Sequence, residues 1–162
     1  MLAIFTEEEI IIDGSEDMRK RPIGPLVKSL IDFGCNIDDK EYLPLTIKPN
    51  NNLAKNNINI DGTLSSQYIT GLIIAFSMLK AKNSNIDYTI NIDGEETSCG
   101  FIKMTLNMLK DFGIQPINNN KKVIISKISN GQNEYNIEGD ATTASYIFGW
   151  SYLKKFNLEI PN

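Results

Sequence analysis

Gly62-Thr63-Leu64-Ser65-Ser66-Gln67-Tyr68 decides the fold of this chain, because it follows the β-branched run at 58–61 and opens an apolar segment over 69–79. A strand, a tight turn and a helix start follow one another there. Ser65 or Ser66 can cap the helix by accepting from its first orphan N–H groups, and Gly62 lets the chain bend sharply before it. Capping takes only one serine. Two adjacent hydroxyls, the Gln67 amide and the free N–H groups of a helix N-terminus also make an uncharged cradle suited to an anion such as phosphate. The residues carry both readings, a plain cap and an anion cradle.

Upstream, Glu9-Ile10-Ile11-Ile12-Asp13, ended by Gly14-Ser15, reads as a short strand and its turn. Pro22 suits the first turn of a helix, and Ile23, Leu26, Val27, Leu30, Ile31 and Phe33 recur at helical spacing until Gly34 supplies a stop. This puts Arg19, Lys20 and Arg21 at or before a helix N-terminus, where the macrodipole disfavours each cation by about 0.3 to 1 kcal/mol. Either an anion offsets that cost or the three side chains point into solvent. Short extended segments are expected at 35–37, 43–47 and 58–61, and a further strand at 86–92. Helical spacing returns at 102–112 and closes on Gly113, strands follow at 123–128 and 135–137, and a last helix runs from Thr143 to about Phe156.

The later elements repeat the earlier ones. Leu30-Ile31-Asp32-Phe33-Gly34 matches Leu109-Lys110-Asp111-Phe112-Gly113 at an offset of 79 residues, from 33 to 112. Ile60-Asp61-Gly62 with Ser65-Ser66 matches Ile137-Glu138-Gly139 with Thr142-Thr143 at an offset of 77, from 62 to 139. The chain is therefore expected to be an α/β (α+β) protein of two stacked units, 1–85 and 86–162, forming one partial domain. No closing strand follows the last helix beyond 158–160, so the array reads as cut rather than finished.

Composition narrows the function. The 162 residues are 41% hydrophobic and 22% charged, as in folded soluble domains, and a net charge of −4 argues against a nucleic-acid binder. There is no histidine, which removes His-based acid–base chemistry and His-ligated metals. Cys35 and Cys99 match no metal or redox spacing, so two reduced thiols in a cytoplasmic protein are expected. The apolar run at 69–79 is well short of the roughly 20 residues of a membrane span. Neither a membrane partner nor a metal or other cofactor is expected.

Three motifs in order, Arg21-Pro22-Ile23-Gly24, Ser65-Ser66-Gln67-Tyr68 and Glu138-Gly139-Asp140-Ala141 with Ala144-Ser145-Tyr146, resemble the 5-enolpyruvylshikimate-3-phosphate synthase family. The resemblance spans nearly the whole chain, whereas the chain spans only the central part of such an enzyme. It implies the enolpyruvyl transferase fold of repeated βαββαβ units, with about two of the three units of one domain present. It implies that Ser65, Ser66, Gln67 and Ser98 hold shikimate 3-phosphate, and that Arg21 with Gln67 holds phosphoenolpyruvate. Asp140 is structural on this view.

The implied reaction, in the shikimate pathway of aromatic amino acid biosynthesis, moves enolpyruvyl from phosphoenolpyruvate to shikimate 3-phosphate and needs an acid and a base. Those carboxylates lie outside the stretch matched, so no catalytic residue is assigned and the isolated chain is expected to be inactive. A second chain carrying the rest of the enzyme is then an expected partner. The alternative is a degenerate, non-catalytic fragment that binds an anionic metabolite or a partner protein. Two departures from the family pattern bear on this choice: Phe101 stands where a tyrosine is usual, and Asp17 where an arginine is usual.

Overall fold

The computed structural model describes residues 5–50, 53, 55–94, 99–119 and 121–160. It divides into two compact units, Met1–Gly131 and Gln132–Asn162. The first begins with β1 (Ile10–Ile12), a single-turn α1 (Glu16–Arg19), α2 (Gly24–Phe33), β2 (Asn36–Ile37) and β3 (Leu45–Lys48). The three strands form an antiparallel sheet in the order β1-β3-β2, with Ile10 opposite Ile47 and Asn36 opposite Lys48. One face of α2, Val27, Leu30 and Phe33, is buried. Gly34 ends that helix in the left-handed conformation at φ 114°, and its N–H reaches back to the carbonyls of Leu30 and Ile31.

Next come β4 (Asn57–Asp61), α3 (Ser66–Lys82), β5 (Tyr88–Asp93), α4 (Cys99–Asp111), β6 (Ile114–Asn118) and β7 (Lys122–Ile128). The second sheet runs β4-β5-β7-β6, with β4 and β5 parallel and the other pairs antiparallel. Parallel neighbours need a crossover, and α3 supplies it. On β4 and β5 the inward residues Ile58, Ile60, Tyr88, Ile90 and Ile92 are buried, while Asn57, Asn59 and Asp61 face out. The helix α3 is buried on most sides through Ile69, Leu72, Ile73, Phe76 and Leu79. Phe76 lies between Phe33 at 5.0 Å and Tyr88 at 5.5 Å, ring centre to ring centre, and so joins α2, α3 and β5 in one core. At the far end of α3 the buried Lys80 ammonium donates to the Ser84 carbonyl at 2.6 Å and to Asp87 at 2.9 Å, closing the turn into β5.

The second unit holds α5 (Ala141–Lys154). Asp140 caps it, accepting from the Thr142 N–H at 2.9 Å and the Thr143 hydroxyl at 2.6 Å. Lys155 ends it at φ 57°, and the Trp150 and Phe156 rings meet edge to face at 5.1 Å.

Several expectations need correction. Residues 135–137 are not a strand, although their apolar and β-branched pattern predicts one, since no neighbouring strand pairs with them among the described residues. Pro22 lies outside its helix; Ile23 is the capping position and Pro25 takes the first turn. Arg19 is not at a helix start but in the last turn of α1, which periodicity over four residues cannot reveal. Strand β6 was not expected because Gln115 and Pro116 break the alternation, and the ladder shifts register between those two residues.

Candidate anion-binding site

The turn from β4 into α3 is built from local bonds. The Asp61 carboxylate accepts from the Thr63 N–H at 2.9 Å and the Thr63 hydroxyl at 2.6 Å, and these hold its pKa below the usual 3.8. The Gly62 N–H donates to the Asp93 carbonyl at 2.9 Å, tying the turn to the end of β5. Gly94, at φ 78°, packs so closely that a Cβ there would come within 2.7 Å of the Thr63 methyl.

The two serines then separate. Ser65 is the cap, its hydroxyl accepting from the Gln67 N–H at 3.2 Å. Ser66 is the first residue of the helix and is buried at 8% exposure, yet its hydroxyl has no hydrogen-bond partner among the described residues. A buried polar group without a partner is uncommon and calls for a specific explanation. No acidic side chain occupies the first turn of α3, so the positive end of that 17-residue helix is uncompensated. Ser65, Ser66 and Gln67 lie on the wall of a groove of about 730 Å³ between α3 and α4. The rest of the wall is mainly apolar, including Leu64, Ile74, Phe101, Met104 and Met108. Phe101 is 60% exposed and offers a ring without a hydroxyl.

The basic cluster is partitioned by its neighbours. Arg19 forms a two-pronged pair with Asp13, its Nε at 2.8 Å from one carboxylate oxygen, and this lowers the Asp13 pKa and raises that of Arg19. Lys20 lies 3.5 Å from Asp17. The Arg21 guanidinium has no such partner among the described residues and is exposed. Arg21 is not on the groove wall. Its segment is nonetheless joined to α3, because the Tyr68 hydroxyl donates to the Pro22 carbonyl at 2.8 Å. Sequence reasoning missed this bond, which spans 46 residues and leaves no local signal.

Ser98 lies outside the described residues; Cys99, which follows it, is the first residue of α4. Cys35 is buried, and burial pushes its thiol up to about 11, whereas Cys99 is exposed. Among the described residues no group of acidic or thiol side chains is arranged to hold a metal, and no helix is long and apolar enough to cross a membrane.

The mixed α/β architecture with repeated β-α-β elements is consistent with the enolpyruvyl transferase type of fold. The solved structure of EPSP synthase from Acinetobacter baumannii resembles it with a TM-score of 0.54 at 16% identity, over 79% of this chain and 28% of that one. The chain belongs to the EPSP synthase (3-phosphoshikimate 1-carboxyvinyltransferase) family, whose family model matches residues 1–162. Among its relatives, the 3-phosphoshikimate 1-carboxyvinyltransferase of Marinomonas sp. is 36% identical over 86% of this chain and 33% of its own length. That of Colwellia psychrerythraea is 35% identical over 92% and 35%. The pentafunctional AROM polypeptide of Pneumocystis carinii is 38% identical over 86% of this chain and 9% of its own. The chain thus spans about a third of the length of the single-function relatives it matches.

Proposed function

We propose that this chain supplies the shikimate 3-phosphate-binding region of an enolpyruvyl transferase, with Ser65, Ser66, Gln67 and Ser98 toward shikimate 3-phosphate and Arg21 with Gln67 toward phosphoenolpyruvate. The observation that carries the reading is Ser66, a buried residue at the start of α3 whose hydroxyl has no partner among the described residues and whose helix has no acidic side chain in its first turn. A phosphate oxygen would accept from that hydroxyl at the positive end of the helix. Arg21, whose guanidinium has no carboxylate against it among the described residues, offers paired donors to a second anionic group.

The catalytic acid and base are assigned to a part of the enzyme outside this chain, and the chain contributes about two of the three units of one domain, divided near residue 85. The apolar groove residues Phe101 and Met104, each 60% exposed, support a second polypeptide carrying the remainder. One observation favours the alternative of a non-catalytic anion binder: Phe101 brings no hydroxyl to the groove.

Calorimetric titration of the full chain tests the assignment. A hydrogen bond to a charged group is worth roughly 1.5 to 3 kcal/mol, so Ser66→Ala is expected to weaken shikimate 3-phosphate about tenfold or more. Shikimate without its phosphate should be nearly indifferent to that change, and Arg21→Ala should chiefly weaken phosphoenolpyruvate. With both ligands present, no phosphate should be released. A wild-type chain that takes up neither ligand at millimolar concentration would sink the binding assignment, and measurable turnover would sink the placement of the acid and base elsewhere.

A further inference from the structure

Tyr68 adjoins Gln67 in the first turn of α3, and its half-buried ring packs on the core as Ile23 does. Its hydroxyl donates to the Pro22 carbonyl at 2.8 Å. We infer that Tyr68 is a positioning residue, holding the Arg21 segment at a fixed distance from the Ser66 and Gln67 end of α3 so that the guanidinium and the spare hydroxyl address their anions together. The inference rests on the binding assignment made above for Ser66 and Arg21.

The segment from Arg21 to Gly24 is anchored at three points. The Arg21 N–H donates to the Met18 carbonyl at 3.1 Å, the Ile23 N–H to the Glu41 carbonyl at 2.8 Å, and the Pro22 carbonyl accepts from Tyr68. Gly24 adds a close approach, since a Cβ there would come within 3.3 Å of the Glu41 side chain. The first two anchors tie the segment to α1 and to the loop before β3. Among the described residues, the Tyr68 hydroxyl makes the one hydrogen bond that ties it to the helix carrying the cradle. The Arg21 guanidinium has no carboxylate or carbonyl partner among the described residues, so the backbone anchors set the point from which its side chain reaches. A backbone so anchored loses less freedom when an anion arrives, and that is how a bond remote from the ligand acts on affinity.

Tyr68→Phe in the full chain keeps the ring and its packing and removes only the donor. Two measurements separate positioning from packing: nitrogen relaxation at the Arg21 and Ile23 amides and the Arg21 Nε, and calorimetric titration with phosphoenolpyruvate and with shikimate 3-phosphate. The expected result is greater mobility at all three nitrogens, phosphoenolpyruvate weakened about fivefold, and shikimate 3-phosphate unchanged within about twofold. Equal weakening of both ligands would mean that the Tyr68 hydroxyl does not act through the Arg21 segment, and would overturn the inference. Unchanged mobility would overturn it as well, whatever the titrations give. A wild-type chain that binds neither ligand removes the assignment beneath it, and the tether then stands or falls on the relaxation data alone.

Discussion

Ser65 and Ser66 carry the same hydroxyl on neighbouring residues, yet one accepts from an N–H of its own helix and the other has no partner among the described residues. Their adjacency is why the sequence leaves cap and cradle undecided: which of two serines caps depends on where the first helical turn begins, a matter of one residue. Cys35 and Cys99 differ just as sharply. The buried Cys35 thiol, with its pKa near 11, stays protonated and screened at neutral pH, while Cys99 is exposed. Reaction of the native protein with a thiol reagent should therefore consume one equivalent quickly and a second only on unfolding; two fast equivalents would contradict the burial of Cys35. Acid should act through carboxylates held below the usual 3.8. Asp61 is held there mainly by the Thr63 hydroxyl, Asp140 by the Thr143 hydroxyl and Asp38 by its bond to Thr46. A depressed folded pKa gives stability that is complete above the unfolded value and lost as pH falls through the folded one. The melting temperature should be level from pH 7 to 5 in this respect and decline below about 4, more shallowly in Asp61→Asn; a melting temperature that rises on acidification would exclude these contributions.

Helices α2 and α4 both stop at a glycine in the left-handed region, Gly34 at φ 114° and Gly113 at φ 81°, so the match of these two stops in the sequence is also a match of backbone geometry. Their surroundings differ. A Cβ on Gly34 would meet nothing within 4 Å, whereas one on Gly113 would come within 2.2 Å of the Ser129 carbonyl oxygen. Gly34→Ala should thus cost only the left-handed strain, about 1 to 2 kcal/mol, and Gly113→Ala more than about 3 kcal/mol, as read from denaturant unfolding. Equal costs would show that the chain beyond β7 gives way. The sequence reveals the helices α2, α3, α4 and α5, which have an apolar run, and the strands β1 to β5 and β7, which are β-branched and bounded by turn residues. The single turn of α1 is too short to show a period, and β6 hides behind Pro116. The stretch at 135–137 has strand composition without a strand partner among the described residues, and pairing is a property that no single segment encodes. The Tyr68 to Pro22 bond is out of reach for the same reason, since it exists only once α2 and α3 are packed.

The molecule as a whole divides where the regular structure gives out. Between β7 and α5 the chain is irregular and exposed, and it carries Glu134 and Glu138. A glutamate-specific protease should cut there first and leave a resistant core that ends at one of those residues. Early cleavage at Glu41, between β2 and β3, instead would show that the first unit does not hold by itself. That core keeps both sheets, and β6 is an outer strand of the larger one. An outer strand invites another polypeptide to extend the ladder, but a proline on it has no N–H to give, and the register shift at Gln115 and Pro116 bends the margin away from flatness. Copies of this protein therefore cannot easily add strand to strand at that end, and concentrated solutions are guarded there against growth into fibrils.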